Sequence, residues 1–163
     1  MRWKRKGEVV STTSKKSKYH QGKYKPVNPR KYKGDLNNIV FRSSWELNYF
    51  RYCDTNSNIL KWSSESVVIP YVSPIDGEYH RYFMDVYMKY RTKLGLIEEV
   101  LIEIKPYDQT QPPKPQKRKT KVWKEKVKTY AVNQAKWKAT IKFCEKRNLK
   151  FGILTEKGMI NYK

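Results

Sequence analysis

Two cysteines and two histidines stand among 163 residues, and Cys53, Cys144, His20 and His80 are too few and too scattered for a structural zinc site. Long apolar runs are missing as well. None approaches the ~20 residues that a bilayer span needs. The basic start, Met1 to Lys6, runs into Gly7-Glu8-Val9-Val10-Ser11, which is no signal-peptide core. The expectation is a soluble chain that works inside a cell or is assembled there. Acids are scarce too: 15 Asp+Glu face 36 Lys+Arg, a formal net charge of +21. Such a charge calls for an anionic partner, with nucleic acid ahead of a membrane surface. The apolar fraction of 38% and mean hydropathy of −0.90 are lean, but 14% aromatics argue for a packed body. The length fits one domain with a modest extension.

The charge is unevenly spread. Residues 1–38 carry 12 Lys/Arg and 2 acids, a net +10, and residues 114–150 carry 14 and 2, a net +12. Between them, residues 39–113 hold 8 Lys/Arg and 10 acids, a net −2. A simple electrostatic clamp has no need of an acidic centre. An enzyme that holds metal ions beside phosphates does.

Residues 1–38 read as a basic arm, flexible alone and ordered on DNA, ahead of a single domain over 39–163. Tyr19, Tyr24 and Tyr32 interleave with lysines there and are placed to stack on bases or lie along sugars. The plainer alternative is a solvated tail. The body is an α/β chain of the α+β kind: helix, three-stranded meander, long helix, strand. Ser43-Ser44-Trp45-Glu46 has capping-box spacing and predicts a helix from about Ser44 to Cys53, with Trp45, Tyr49, Tyr52 and Cys53 on one face. Strands are expected at 66–71, with Pro70 near an edge, and at 82–90 and 97–105 around a Lys93-Leu94-Gly95 turn. A stripe from Trp123 through Val127, Tyr130, Gln134, Trp137 and Ile141 to Cys144 predicts a helix over 120–147 with Asn148 as its stop. That helix serves as the crossover to a last strand at 150–155.

On the strand at 97–105, alternation puts Glu103 and Lys105 on one face. Folding the hairpin about residue 94 brings Asp85 beside Glu103. Two adjacent carboxylates repel and require a proton, a cation or a metal between them. Mg²⁺ suits such hard oxygen donors, with Mn²⁺ as a substitute, and Lys105 would hold the attacking water or the phosphate. Glu103-Ile104-Lys105 is the only Glu-x-Lys in this lysine-rich chain.

Asp85 with Glu103-Ile104-Lys105 resembles the D…E-x-K signature of restriction-endonuclease-like nucleases. Within that family the runs Phe41 to Glu46, Ile102 to Pro106, Asn133 to Trp137 and Phe151 to Glu156 are similar to the head completion nucleases of T-even-type tailed phages. The nuclease subunits of heteromeric bacterial transposases are a further likeness. The resemblance implies a restriction-endonuclease-like core and Mg²⁺-dependent cleavage of DNA by backbone and shape. It also implies a role at head completion and head–tail joining, with phage head or neck proteins as partners and no membrane. The place of action would be the host cytoplasm during assembly, or the virion. Asp85, Glu103 and Glu46 would hold metal, although a capping box alone already explains Glu46. Arg42 and Arg81 are candidate phosphate contacts, and Gln134 is the candidate on the long helix. Met84 stands where the family often has proline. His80 fits a surface position, and both cysteines fit a core. The rival reading is a non-catalytic nucleic-acid-binding virion assembly protein that keeps a nuclease-like fold.

Overall fold

The structure, a computed structural model, describes residues 21–162. Residues 1–20, with Tyr19 and His20 of the expected arm, lie outside the described residues. Two short strands, β1 (Gly22–Lys23) and β2 (Val40–Phe41), pair ahead of helix α1 (Ser44–Thr55). Next come β3 (Ile59–Ser64), a hairpin of β4 (Val68–Val72) and β5 (Tyr79–Phe83), then β6 (Val86–Arg91) and β7 (Ile97–Ile104). Helix α2 (Lys121–Glu145) leads to β8 (Lys150–Thr155) and β9 (Gly158–Tyr162).

The main sheet has the order β3-β6-β7-β8-β9. All neighbours are antiparallel except β7 and β8, which run parallel because α2 crosses over between them. One core gathers Phe50 and Cys53 of α1 against Trp62, Val86, Met88, Val100 and Ile102. The other gathers Trp137 and Cys144 of α2 with Leu101, Phe151, Ile153 and the inner face of the β4–β5 hairpin. The sheet therefore lies between α1 and α2, and its central strand β7 is buried from Val100 to Ile104.

The structure departs from the expected meander. The strand foreseen over 82–90 breaks at Met84–Asp85. Its first part pairs with β4 in a separate two-stranded sheet, and its second part takes β3 as its outer neighbour. The Met84 amide donates to Val67 O at 2.9 Å and Met84 O accepts the Glu65 amide at 3.1 Å, so the break is pinned from both sides. Glu65 makes this corner in the left-handed region at φ 51°. Strands β3 and β9 were not foreseen. On α1 the inward residues are Phe50, Cys53 and Asp54, while Trp45 (39%) and Tyr52 (49%) are exposed. Thr120 caps α2 by accepting the Trp123 amide at 3.2 Å, and Asn148 ends the turn at φ 54°.

The described part of the arm is not loose. Residues 21–38 fold onto the body around Asp54, a carboxylate with no exposed surface. Its Oδ2 accepts the Tyr24 hydroxyl at 2.8 Å and the Val27 amide at 2.7 Å, and its Oδ1 accepts the Asn28 amide at 3.0 Å. Tyr24 is buried against Phe50 and Trp62, and Tyr32 stands edge-on to Trp62 at 4.7 Å. These two tyrosines serve the core and are not free to stack on bases. Burial and the Asp54 carboxylate push the Tyr24 hydroxyl well above its ordinary pKa.

Asp54→Ala strands three donors at a buried site. It should lower stability by about 2–4 kcal/mol, read from urea unfolding. An unchanged midpoint would mean that residues 21–38 add nothing to the fold.

Candidate active site

The register of β6 and β7 runs from Arg91↔Ile97 to Val86↔Ile102, so the next step of the ladder sets Asp85 beside Glu103. This is the register counted about residue 94. Asp85 sits on the bend after β5, where its Oδ2 accepts the Ile104 amide at 2.7 Å. Glu103 lies one residue before, 2% exposed. Its Oε1 pairs with Lys105 Nζ at 3.0 Å, and its Oε2 accepts the Tyr82 hydroxyl at 2.5 Å. Asp85, Glu103 and Lys105 are thus brought together as expected.

The electrostatics follow from crowding two acids in a shielded place. Burial, then the Glu103 charge, raise the Asp85 carboxyl well above the carboxylate range, against the pull of Lys105 and the Ile104 amide. Burial disfavours the Lys105 ammonium, but the charges of Glu103 and Asp85 outweigh it and its pKa ends raised. Burial and Glu103 likewise raise the Tyr82 hydroxyl, keeping it a donor.

Glu46 stands close enough for its charge to bear on Asp85 and Lys105. Its own oxygens serve the helix start: Oε2 accepts the Arg42 amide at 2.9 Å, and Oε1 accepts the Ser43 hydroxyl at 3.0 Å. Among the described residues no three His, Cys, Asp or Glu side chains converge on one metal position. Asp85 and Glu103 remain a fitting pair for one hard cation, because their mutual repulsion is what such a cation relieves.

Other expected positions fall elsewhere. Gln134 is exposed on α2, and among the described residues no contact ties it to Asp85, Glu103 or Lys105. Arg81 lies on the outer face of the hairpin with its guanidinium 5.7 Å from the Phe83 ring, while its neighbour Tyr82 points inward to Glu103. Alternation along β5 forces that separation. Arg42 is exposed and pairs with Glu65. His80 is exposed and bonded to Asp76 at 2.8 Å, and both cysteines are buried and free, as expected.

Two residues escaped the sequence reading. Tyr82 was missed because the break at Met84–Asp85 changes the parity of the strand, so Tyr82 and the acids meet despite odd spacing. Lys136 was lost among the lysines of α2. It is half-buried, with its ammonium 5.0 Å from the Tyr82 ring and 5.7 Å from the Tyr71 ring. Burial lowers its pKa, opposed by the charges of Glu103 and Asp85. Its place next to the buried Trp137 was the one available signal.

A model of the N-terminal domain of TnsA-like endonucleases matches residues 56–156, a span that includes Asp85, Glu103, Lys105 and Lys136. The chain is also similar to the head completion nuclease of Enterobacteria phage T4. The two are 44% identical over 144 residues, which cover 86% of this chain and 93% of that protein. No solved structure matches.

Asp85→Asn removes a charge that folding disfavours. It should raise the melting temperature of the metal-free protein at neutral pH. The sign follows from a folded-state pKa above the unfolded one: the penalty is full above the folded value and vanishes as pH falls below ~4. A variant less stable than wild type at pH 7 would contradict this electrostatic picture.

Proposed function

The chain belongs to the TnsA-like endonuclease family, and from that membership we propose that it is a metal-dependent DNA nuclease acting in phage head completion. Its α+β fold, a mixed five-stranded sheet between two helices, is consistent with the restriction-endonuclease-like nucleases. The observation that carries the proposal is the apposition of Asp85 and Glu103 with Lys105 at 3.0 Å from Glu103.

Asp85 and Glu103 would hold Mg²⁺ or Mn²⁺ through carboxylate oxygens, with Glu46 adding negative field from the start of α1. When bound, the ion supplies a water of lowered pKa and offsets charge on the phosphate. Lys105 exchanges its pairing with Glu103 for the attacking water or a phosphate oxygen. Tyr82 holds Glu103 from the other oxygen and fixes its rotamer, as a partner behind a metal-binding group does. Lys136 brings a second cation to the site, stacked on the rings of Tyr71 and Tyr82 and half shielded from water. The exposed lysines of α2 would add the longer-range attraction to a DNA backbone. The substrate in this reading is packaged DNA that is trimmed or cut as head and tail join. Among the described residues no helix is long and apolar enough to cross a membrane. In this reading the protein acts in the host cytoplasm during assembly or in the virion.

One observation favours a second reading. Both Glu103 oxygens are already engaged, by Lys105 and by Tyr82, and such a closed network is complete without a metal. In that reading the chain is a nucleic-acid-binding assembly protein that does not cut.

Linear and circular duplex DNA incubated with Mg²⁺ separates the two. The nuclease reading expects cleavage by wild type, none with a chelator, and a loss on the order of 100-fold or more in Asp85→Asn and Glu103→Gln. Full activity in both variants would remove these residues from the site. No cleavage with any divalent ion would favour the binding protein.

Lys105→Ala should lower the cleavage rate by on the order of 10²–10⁴-fold with little change in DNA affinity. A matching loss of affinity would make Lys105 a binding group only.

A further inference from the structure

Among the described residues, the β4–β5 hairpin buries one face and leaves the other exposed. Ile69, Tyr71 and Tyr82 pack inward with the residues of α2. The register pairs Val68 with Phe83, Pro70 with Arg81 and Val72 with Tyr79, so these six side chains share the outer face. All six are exposed, Tyr79 to 80%, Val72 to 47% and Phe83 to 43%. Water gains nothing from such a surface, and apolar faces of this kind on a folded chain mark places where another molecule sits.

Three occupants are conceivable, and the chemistry of the face separates them. DNA is a poor match: no lysine occurs from residue 62 to 88 in a chain with 36 Lys+Arg, and Arg81 is the single Lys or Arg of the outer face. Surfaces that hold a phosphate backbone are rich in cations. A second copy is also a poor match, because a two-fold contact centred on this face would press Arg81 against its own mate. What remains is a protein surface that is apolar around one carboxylate. Valine, proline, tyrosine and phenylalanine would be covered while Arg81, stacked on Phe83, finds its counter-charge.

We propose that the outer face of the β4–β5 hairpin docks this protein onto a protein of the phage head, through an apolar patch with an acidic group opposite Arg81. The inference rests on the reading of the chain as a head completion protein. It gives the hairpin a task apart from catalysis: one face seats α2 and Tyr82 behind the active site, and the other ties the enzyme to the particle whose DNA it acts on.

The test uses heads assembled without this protein by the phage that encodes it. Full-length wild type, Arg81→Glu, and Val72→Ser with Tyr79→Ser are each sedimented with those heads. Each is also assayed for cleavage of free duplex DNA and for oligomeric state. The proposal expects wild type to join the heads and both variants to lose on the order of tenfold or more in association, with cleavage of free DNA kept, which shows they are folded. Variants that join as well as wild type would overturn the docking face while leaving the nuclease reading intact. Variants that lose DNA cleavage or DNA binding instead would assign the face to DNA. A wild-type oligomer that the variants break would assign it to a second copy. Either result overturns the proposal, and a wild type that fails to join heads overturns it together with the head-completion reading.

Discussion

Everything chemical in this molecule depends on holding two like charges side by side. Asp85, on the bend ahead of β6, is set beside Glu103 by the β6–β7 register, and Glu103 lies on a strand buried from Val100 to Ile104 where water does little to screen it. Left alone, the pair would open the sheet or keep a proton. The fold instead surrounds it with donors: the Ile104 amide on Asp85, and Lys105 and Tyr82 on the two oxygens of Glu103. The residual strain shows in Asp85, whose carboxyl is pushed far up. Such unrelieved repulsion is a cost to stability, and it is what a bound cation would relieve in the proposed reading.

The rest of the architecture serves that arrangement. The break at Met84–Asp85 lets one stretch of chain work in two sheets, sending Tyr82 to Glu103 from the hairpin and Asp85 to the same residue from the bend. Helix α2 packs on the hairpin and contributes Lys136, stacked on the rings of Tyr71 and Tyr82. On the opposite side of the sheet, Asp54 gathers residues 21–38 against α1, whose first turn carries Glu46. The overall charge of +21 thus resolves into a carboxylate-bearing centre and basic flanks, part of which is folded structure rather than a free tail.

What the sequence made legible was local or governed by a short period. The capping box at Ser43, the crossover helix, the cap at Asn148 and the pairing of residues 85 and 103 about 94 follow from spacing alone, and the central trio of the site came with them. What it hid depended on the chain's path in three dimensions. No alternation rule places a break at Met84–Asp85, so Tyr82 and Arg81 could not be sorted between inside and outside. Asp54 drew no attention because an isolated acid after Cys53 gives no hint of three donors arriving from residues 24–28. Lys136 had only its place beside Trp137 to mark it among its neighbours, and Gln134 drew attention through the resemblance and as a polar residue in an apolar stripe.

The central claim is that Asp85 and Glu103 share a divalent ion. Crystals of the full chain soaked in Mn²⁺ test it through the anomalous signal of the metal. The account predicts one strong peak about 2.0–2.3 Å from an oxygen of each carboxylate, with Lys105 moved off Glu103. A peak bound elsewhere, or no peak with the Lys105–Glu103 and Tyr82–Glu103 contacts intact, would contradict it.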